Sequence, residues 1–286
     1  MKKEKEILVA IDFSKCSMDA LEYAASLAKK TGSRVHILNI TQEAKYYFIA
    51  DPAAYALPYG DINKMYEEIK KSVNKKLAAA GSKKFMKGVE FYPKAIIGGA
   101  LHIEIISYAE KIKAGIIIMG SHGAEGFGGI LLGSTSERVV RFSKLPVIVI
   151  SRRVIDTDFK LIVFASDFKE EAYNVFPAVK TFAKITNATI HLLKVNTTDR
   201  FSRTIDNEKL IGAFNKHFKS SYKAAIYDDY MKEEGILNYS DFVKADMIAI
   251  GTHGKKGFAR FFRSDISEGI VRLAHKPIIV VNFGKK

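Results

Sequence analysis

Apolar residues along this chain gather into short continuous runs rich in Val, Ile and Leu, separated by longer stretches in which apolar positions recur every three to four residues. A strand with one wet face would alternate apolar and polar positions, so continuous runs imply strands buried on both faces. In the first half the runs predict strands near 6–12, 34–40, 88–92, 115–119 and 146–150, with helices near 17–31, 63–80, 99–113 and 134–143. In the second half they predict strands near 160–166, 189–195, 224–228, 246–250 and 277–281. Strands alternating with helical crossovers make an α/β fold with a parallel sheet.

The two halves repeat each other. Ile7 to Phe13 returns as Ile162 to Phe168, each run ending in Asp-Phe, and at the same offset of 155 residues Val35 to Ile40 falls on Ile190 to Val195. Ile116 to Gly123 then matches Met247 to Gly254, and Leu145 to Ile150 matches Lys276 to Val281, now at an offset of 131. Four matches in one order make an internal duplication. The pattern therefore predicts two tandem doubly wound five-stranded domains, 1–153 and 154–286, joined by the polar Ser151-Arg152-Arg153 and packed closely. The second copy is 24 residues shorter in its middle, a loss that falls on the stretch Tyr46 to Gly60 and part of the helix after it. Tyr46, Tyr47, Phe48 and Tyr55 of that stretch read as an aromatic loop packed on its own domain, ahead of a lid or partner surface.

Composition narrows the class without naming a function. Apolar residues make up 48% and charged residues 27%, the balance of an ordinary folded domain. The apolar run Ile7 to Ile11 stops at Asp12, too short for the core of an export signal, and no run approaches the roughly 18 apolar residues of a membrane span. A single cysteine, Cys16, excludes an intrachain disulfide, so the expected compartment is the cytoplasm. Nothing near Cys16 is arranged to activate it, which makes a reactive thiol the lesser reading. The net charge of +14 comes from lysines spread over nearly every helix and turn, a solvated surface before it is a nucleic-acid face. No Cys, His or carboxylate spacing suggests a metal site.

The candidate chemistry lies after the fourth strand, where Gly120-Ser121-His122-Gly123 is followed by nine residues and then Gly133-Ser134-Thr135-Ser136-Glu137. In open parallel sheets ligands bind beyond the carboxyl ends of the strands, where strand order reverses. Gly120 and Gly123 allow positive φ and a close approach of backbone N–H groups to an anion, and Gly133 does the same at the entry to a helix whose N-terminus favours phosphate. Ser134 with Glu137 also reads as a capping box, which is compatible with phosphate binding. The glycines favour the phosphate reading, since a cap needs none of them.

These residues resemble the universal stress protein family, whose nucleotide-binding members carry Gly-x-x-Gly, nine residues, then Gly followed by Ser or Thr. The resemblance includes the strand ending in Asp12 and the strand after Pro146. It implies an adenine nucleotide alpha hydrolase-like, Rossmann-like fold and ATP, ADP or AMP as ligand, and it admits Mg2+ with the nucleotide. Phosphates and ribose would fall to Gly120, Gly123, Gly133, Ser134 and Thr135, the nucleoside to Asp12, and the adenine edge to the backbone of Ile40. For Asp12 the residues alone leave a second reading open, a strand-terminal Asp capping the next helix. Family members pair through their last strands, so the resemblance also implies an intrachain pseudo-dimer through 146–150 and 277–281, able to pair again as a homodimer.

The second loop departs from this pattern. Gly251 and Gly254 are kept, but Ser264-Asp265 stands where Gly133-Ser134 stands in the first copy, and a carboxylate at a helix N-terminus repels phosphate. Lys255, Lys256, Arg260 and Arg263 in the same loop could restore anion affinity or form a solvated surface anchored by Phe258, Phe261 and Phe262. The chain reads as a stress-response sensor binding one nucleotide in its N-terminal copy. No catalytic residue stands out, and His122 is the only loop side chain able to move a proton near neutral pH. At most a slow ATP hydrolysis is implied. A ligase-like enzyme would carry a Ser-Gly-Gly-x-Asp-Ser loop after its first strand, where this chain has Asp12-Phe13-Ser14-Lys15. The Walker and dinucleotide glycine motifs are also absent. The remaining alternative is a ligand-free dimerising scaffold.

Overall fold

The computed structural model describes residues 6–42, 59–121, 133–151, 154, 159–252 and 276–282. The first half runs β1 (Glu6–Ala10), α1 (Lys15–Thr31), β2 (Arg34–Thr41), α2 (Tyr59–Gly81), β3 (Phe91–Ile97), α3 (Leu101–Lys111), β4 (Ala114–Gly120), α4 (Ser134–Phe142) and β5 (Val147–Ile150). The second runs β6 (Leu161–Ala165), α5 (Glu170–Thr186), β7 (Thr189–Asn196), α6 (Thr204–His217), β8 (Lys223–Asp228), α7 (Lys232–Phe242), β9 (Met247–Thr252) and β10 (Ile278–Asn282). The shortening of the second copy is visible here: α6 has 14 residues where α2 has 23.

All ten strands join one sheet in the order β3-β2-β1-β4-β5-β10-β9-β6-β7-β8. Each half thus has the order 3-2-1-4-5, with its switch point between β1 and β4. Every pairing is parallel except β5 with β10, which run antiparallel with Ile148 opposite Ile279. The expected joining of the two copies through their last strands is therefore present within the chain, and it covers the two edges that would otherwise template aggregation.

Helices cover both faces, as the continuous apolar runs require. On β1, Ile7 and Val9 enter the core beneath α1, while Leu8 enters the core on the opposite face, all three essentially inaccessible. In the second half Phe164, Phe176 and Phe214 form an aromatic centre, with ring centroids 4.9–6.1 Å apart. The copies also meet through helices. Tyr23 of α1 packs on Phe159, which packs in turn on Phe182 of α5, and Asn282 Nδ2 donates to the Arg141 carbonyl in the last turn of α4 at 2.7 Å.

Several boundaries differ from the sequence reading, among them α2, which begins at Tyr59 rather than near 63. The third strand lies at Phe91–Ile97 rather than near 88–92, because Val89 N donates to Met86 O in the turn before it and the strand continues through Pro93 and Lys94. As an outer edge, β3 tolerates a proline and leaves Tyr92, Pro93 and Lys94 exposed, which hides it from a search for apolar runs. Helix α3 begins at Leu101 rather than 99, since Gly98 and Gly99 take φ of 97° and 78° and hold the chain out of the helix. Strand β1 ends at Ala10, leaving Ile11 and Asp12 to the connection. The aromatic stretch from Tyr46 lies outside the described residues as far as residue 58, as do Arg152 and Arg153 of the connection. Among the described residues no helix is long and apolar enough to cross a membrane, and no group of three or more metal-ligating side chains is found.

Candidate functional site

The switch point brings together the carboxyl ends of β1, β2 and β4 and the N-termini of α1 and α4. Asp12 lies exposed just past β1, and its Oδ1 accepts from Ser14 N at 3.0 Å in a tight local turn. The helix cap is Ser14, whose side chain accepts from Ser17 N at 3.2 Å. Asp12 is therefore not the cap of α1, and the capping alternative for it falls away. The turn needs Phe13 at φ 66°, and its duplicate repeats the conformation with Phe168 at φ 57° and Asp167 Oδ1 accepting from Lys169 N at 3.2 Å. A bulky residue in the left-handed region is strained, and its recurrence marks the Asp-Phe elbow as built into both copies.

Gly120 ends β4, one residue past the Ala10–Met119 pairing with β1 and opposite Ile150 of β5, and it is buried. It does not take positive φ, and neither does Gly133, at φ −60° and ψ 146°. The expected use of their conformational freedom is thus corrected. What Gly120 supplies is closeness: a Cβ there would meet Cys16 Sγ at 3.0 Å and Ser17 N at 3.1 Å, in the first turn of α1. Cys16 is buried and donates its thiol to the Ile150 carbonyl at 3.1 Å, a packing role.

The loop after β4 is closed at its base. Ser121 N donates to Ile150 O at 2.7 Å, and Gly133 N donates to Ser121 O at 2.6 Å, so the chain leaves and re-enters at one point. Ser136 Oγ, buried, donates to Gly120 O at 2.7 Å and ties the first turn of α4 to the end of β4. Helix α4 starts with Gly133 as its N-cap and no side-chain cap, while Glu137 N bonds to Gly133 O at 2.9 Å. The capping box expected at Ser134 and Glu137 does not form, because Ser134 is already the first helical residue. Ser134 is exposed and Thr135 half-buried, and among the described residues no side chain caps the first turn of the helix. His122 and Gly123 lie outside the described residues, as do Gly254, Ser264, Asp265 and the loop cations and phenylalanines of the second copy.

Ile40 sits one residue before the end of β2. Leu38 O accepts from Ile11 N on the β1 side, and Thr41 O accepts from Gly98 N on the β3 side. The two-residue period of a strand then turns the main-chain groups of Ile40 toward β1, beyond the point where the β1 ladder has ended at Ala10. The structure thus brings Asp12, Gly120, Gly133, Ser134, Thr135 and the Ile40 main chain to one edge of the sheet. Sequence reasoning missed two buried supports, Ser136 and Asn39; the signal for Asn39 was a lone amide inside the apolar run Val35 to Ile40.

A profile described as the universal stress protein family matches residues 4–151 and 225–282. The chain belongs to the universal stress protein family. Universal stress protein MJ0577 of Methanocaldococcus jannaschii is 33% identical over 156 residues, which cover 52% of this chain and 96% of that protein. Universal stress protein YxiE of Bacillus subtilis is 32% identical over 145 residues, 51% of this chain and 97% of that one. These relatives match about half of the chain. The crystal structure of a universal stress protein from Archaeoglobus fulgidus aligns with 97% of this chain and 98% of its own, at a TM-score of 0.65 and 25% identity. The chain is therefore a tandem universal stress protein, two Rossmann-like domains in one polypeptide.

Proposed function

We propose that the N-terminal copy, residues 1–153, binds ATP or a related adenine nucleotide and that its occupancy regulates a stress response in the cytoplasm, with residues 154–286 as a second copy whose loop has lost the phosphate site. Ser134, Thr135, Gly133, Gly123 and Gly120 hold the phosphates and ribose, Asp12 the nucleoside and the Ile40 main chain the adenine edge, with Mg2+ accompanying the phosphates. The observation that carries this reading is the start of α4: its first turn has no side-chain cap, stands on a loop clasped at Gly133 and Ser121, and shares an edge with Asp12. Free N–H groups and the helix dipole there favour an anion.

Thermal melting of wild type, Gly133→Asp and Asp265→Ser with and without ATP tests the reading. A single site at a ligand concentration about a hundred times its Kd adds about 2.7 kcal/mol. Wild type is expected to gain that stabilisation with one nucleotide per chain, and Gly133→Asp to lose it through repulsion at the helix N-terminus. A wild type that gains nothing at millimolar ATP removes the proposal, and a Gly133→Asp protein that keeps the gain moves the site elsewhere.

A further inference from the structure

The sheet ends in β3 on one side and β8 on the other, and among the described residues no strand lies beyond either. β5 and β10 cover each other, so strand pairing between two chains falls to one of these outer edges. Gly98 N donates to Thr41 O and Asp229 N to Asn196 O, which fixes the main-chain groups that turn inward. By the two-residue period, Phe91, Pro93, Ala95 and Ile97 present theirs to the outside of β3, and Ala224, Ile226 and Asp228 to the outside of β8. Pro93 pairs with Ile37 and Ala224 with Leu192, the duplicate of Ile37, so Pro93 and Ala224 are equivalent positions. Pro93 removes an outward donor from β3 and blunts that edge, whereas Ala224 keeps the donor in β8. The β8 edge is also less covered. Helix α6 has 14 residues where α2 has 23, and Ile226 is half-buried where its equivalent, Ala95, is 4% exposed.

We infer that β8 is the interface between two molecules of this chain, pairing antiparallel with β8 of the partner about a two-fold axis. Such an axis keeps opposed side chains on one face of the sheet only if one residue faces its own counterpart. The outward groups allow Ala224, Ile226 or Asp228 in that place. Centring on Ile226 overlaps the whole strand, while the other two leave much of it unpaired. Ile226 then meets the partner's Ile226 on the face covered by α6, and on the opposite face Ala225 receives the partner's Tyr227, small against large. Ala224 faces the partner's Asp228, and their main-chain groups bond in both directions. Lys223, exposed, faces the partner's Asp229, and symmetry repeats that opposite-charge pair at the other end. In this register no two like charges oppose each other. The first copy cannot pair in the same way, because its outer edge carries Pro93. This interface is independent of whether a nucleotide is bound.

Sedimentation velocity of the full chain tests this. Wild type is expected to be a reversible dimer at about 100 μM that dissociates on dilution to about 1 μM, as an interface built on one strand from each molecule implies. Ala224→Pro copies Pro93 into the same register, where the fold already holds a proline, and should leave a monomer at both concentrations with an unchanged circular dichroism spectrum. Lys223→Glu sets carboxylates opposite each other at both ends and should weaken the dimer about tenfold. Adding Asp229→Lys to it restores opposite charges and should recover the association. A wild type that stays monomeric at the higher concentration overturns the inference, and so does a dimer that persists in a folded Ala224→Pro protein. Should Ala224→Pro fail to fold, an undiminished dimer in Lys223→Glu overturns it instead.

Discussion

Gly120 shows how one missing side chain can serve two ends. The Cβ it lacks would stand 3.0 Å from Cys16 Sγ and 3.1 Å from Cys16 C and Ser17 N, so the glycine lets the first turn of α1 settle against the end of β4. Gly120→Ala forces that turn back by a few tenths of an ångström. Because Ser17 is in the same turn and its Oγ accepts from Asp12 N, the displacement reaches the elbow as well. We expect Gly120→Ala to cost about 1 kcal/mol in urea unfolding, the low end of the overpacking range, and to weaken ATP binding further than that loss explains. A protein with unaltered unfolding would show that α1 accommodates the methyl freely. The phosphate reading of this glycine and its packing role are thus successive: packing seats α1, and α1 carries the elbow.

At the scale of elements, duplicated strands expose what each copy has changed. His36 in β2 and His191 in β7 occupy the same register, but their neighbours differ. In the first copy Glu6 joins His36 Nε2 at 2.9 Å and the Arg34 guanidinium; burial raises its carboxyl, yet the hydrogen bonds from Arg34 and His36 outweigh that and hold it below the ordinary range. In the second copy Leu161 replaces Glu6, His191 Nδ1 is buried without a hydrogen-bond partner among the described residues, and burial, then the charge of Lys223, lowers the His191 pKa. A histidine whose folded pKa lies below its unfolded value stays neutral in the native state while the unfolded chain takes up a proton near pH 6.5. Its contribution to stability is accordingly lost as pH falls below about 6.5. His191→Leu should flatten that decline, so that urea midpoints at pH 7.5 and 5.5 lie closer together than in wild type; an unchanged difference would assign the decline to other groups. The same comparison explains what could be read without coordinates. Strands β1, β2, β4 and β5 were legible because both faces are buried and apolar. β3 was displaced because an edge strand can carry Tyr92, Pro93 and Lys94. The candidate site was legible as glycine spacing, and so was the start of α4 at 134, while its cap was not: Ser134 has the chemistry of a cap but is the first helical residue, and only backbone angles distinguish Gly133 in the capping place. Asn39 was illegible for a related reason, since an amide inside an apolar run has meaning only once the Ile11 carbonyl is placed beside it.

Across the whole molecule the antiparallel seam makes two domains into one sheet. Val147, Ile148 and Val149 of β5 face Val280, Ile279 and Ile278 of β10, all buried, and α4 lies against β10 with Asn282 bonded to the Arg141 carbonyl. Tyr23, Phe159 and Phe182 add a second contact between the copies on the opposite face. Exposing either copy alone would uncover the apolar side of its last strand and a row of unpaired backbone groups. Neither half should therefore melt by itself. Scanning calorimetry of the full chain is expected to give a single transition whose van't Hoff and calorimetric enthalpies agree, with a total near 200 kcal/mol at about 60 °C from the usual 0.7 kcal/mol per residue. ATP should move that one transition as a whole, although only the N-terminal copy holds the ligand, because the seam makes stabilisation of one copy available to the other. Ile279→Asp buries an unpaired carboxylate in the seam, with no charge opposite it at Ile148, and should split the transition in two, after which ATP shifts only the peak of the N-terminal copy. Two transitions already present in wild type would instead mean that the shared sheet joins the copies in space without joining them in free energy.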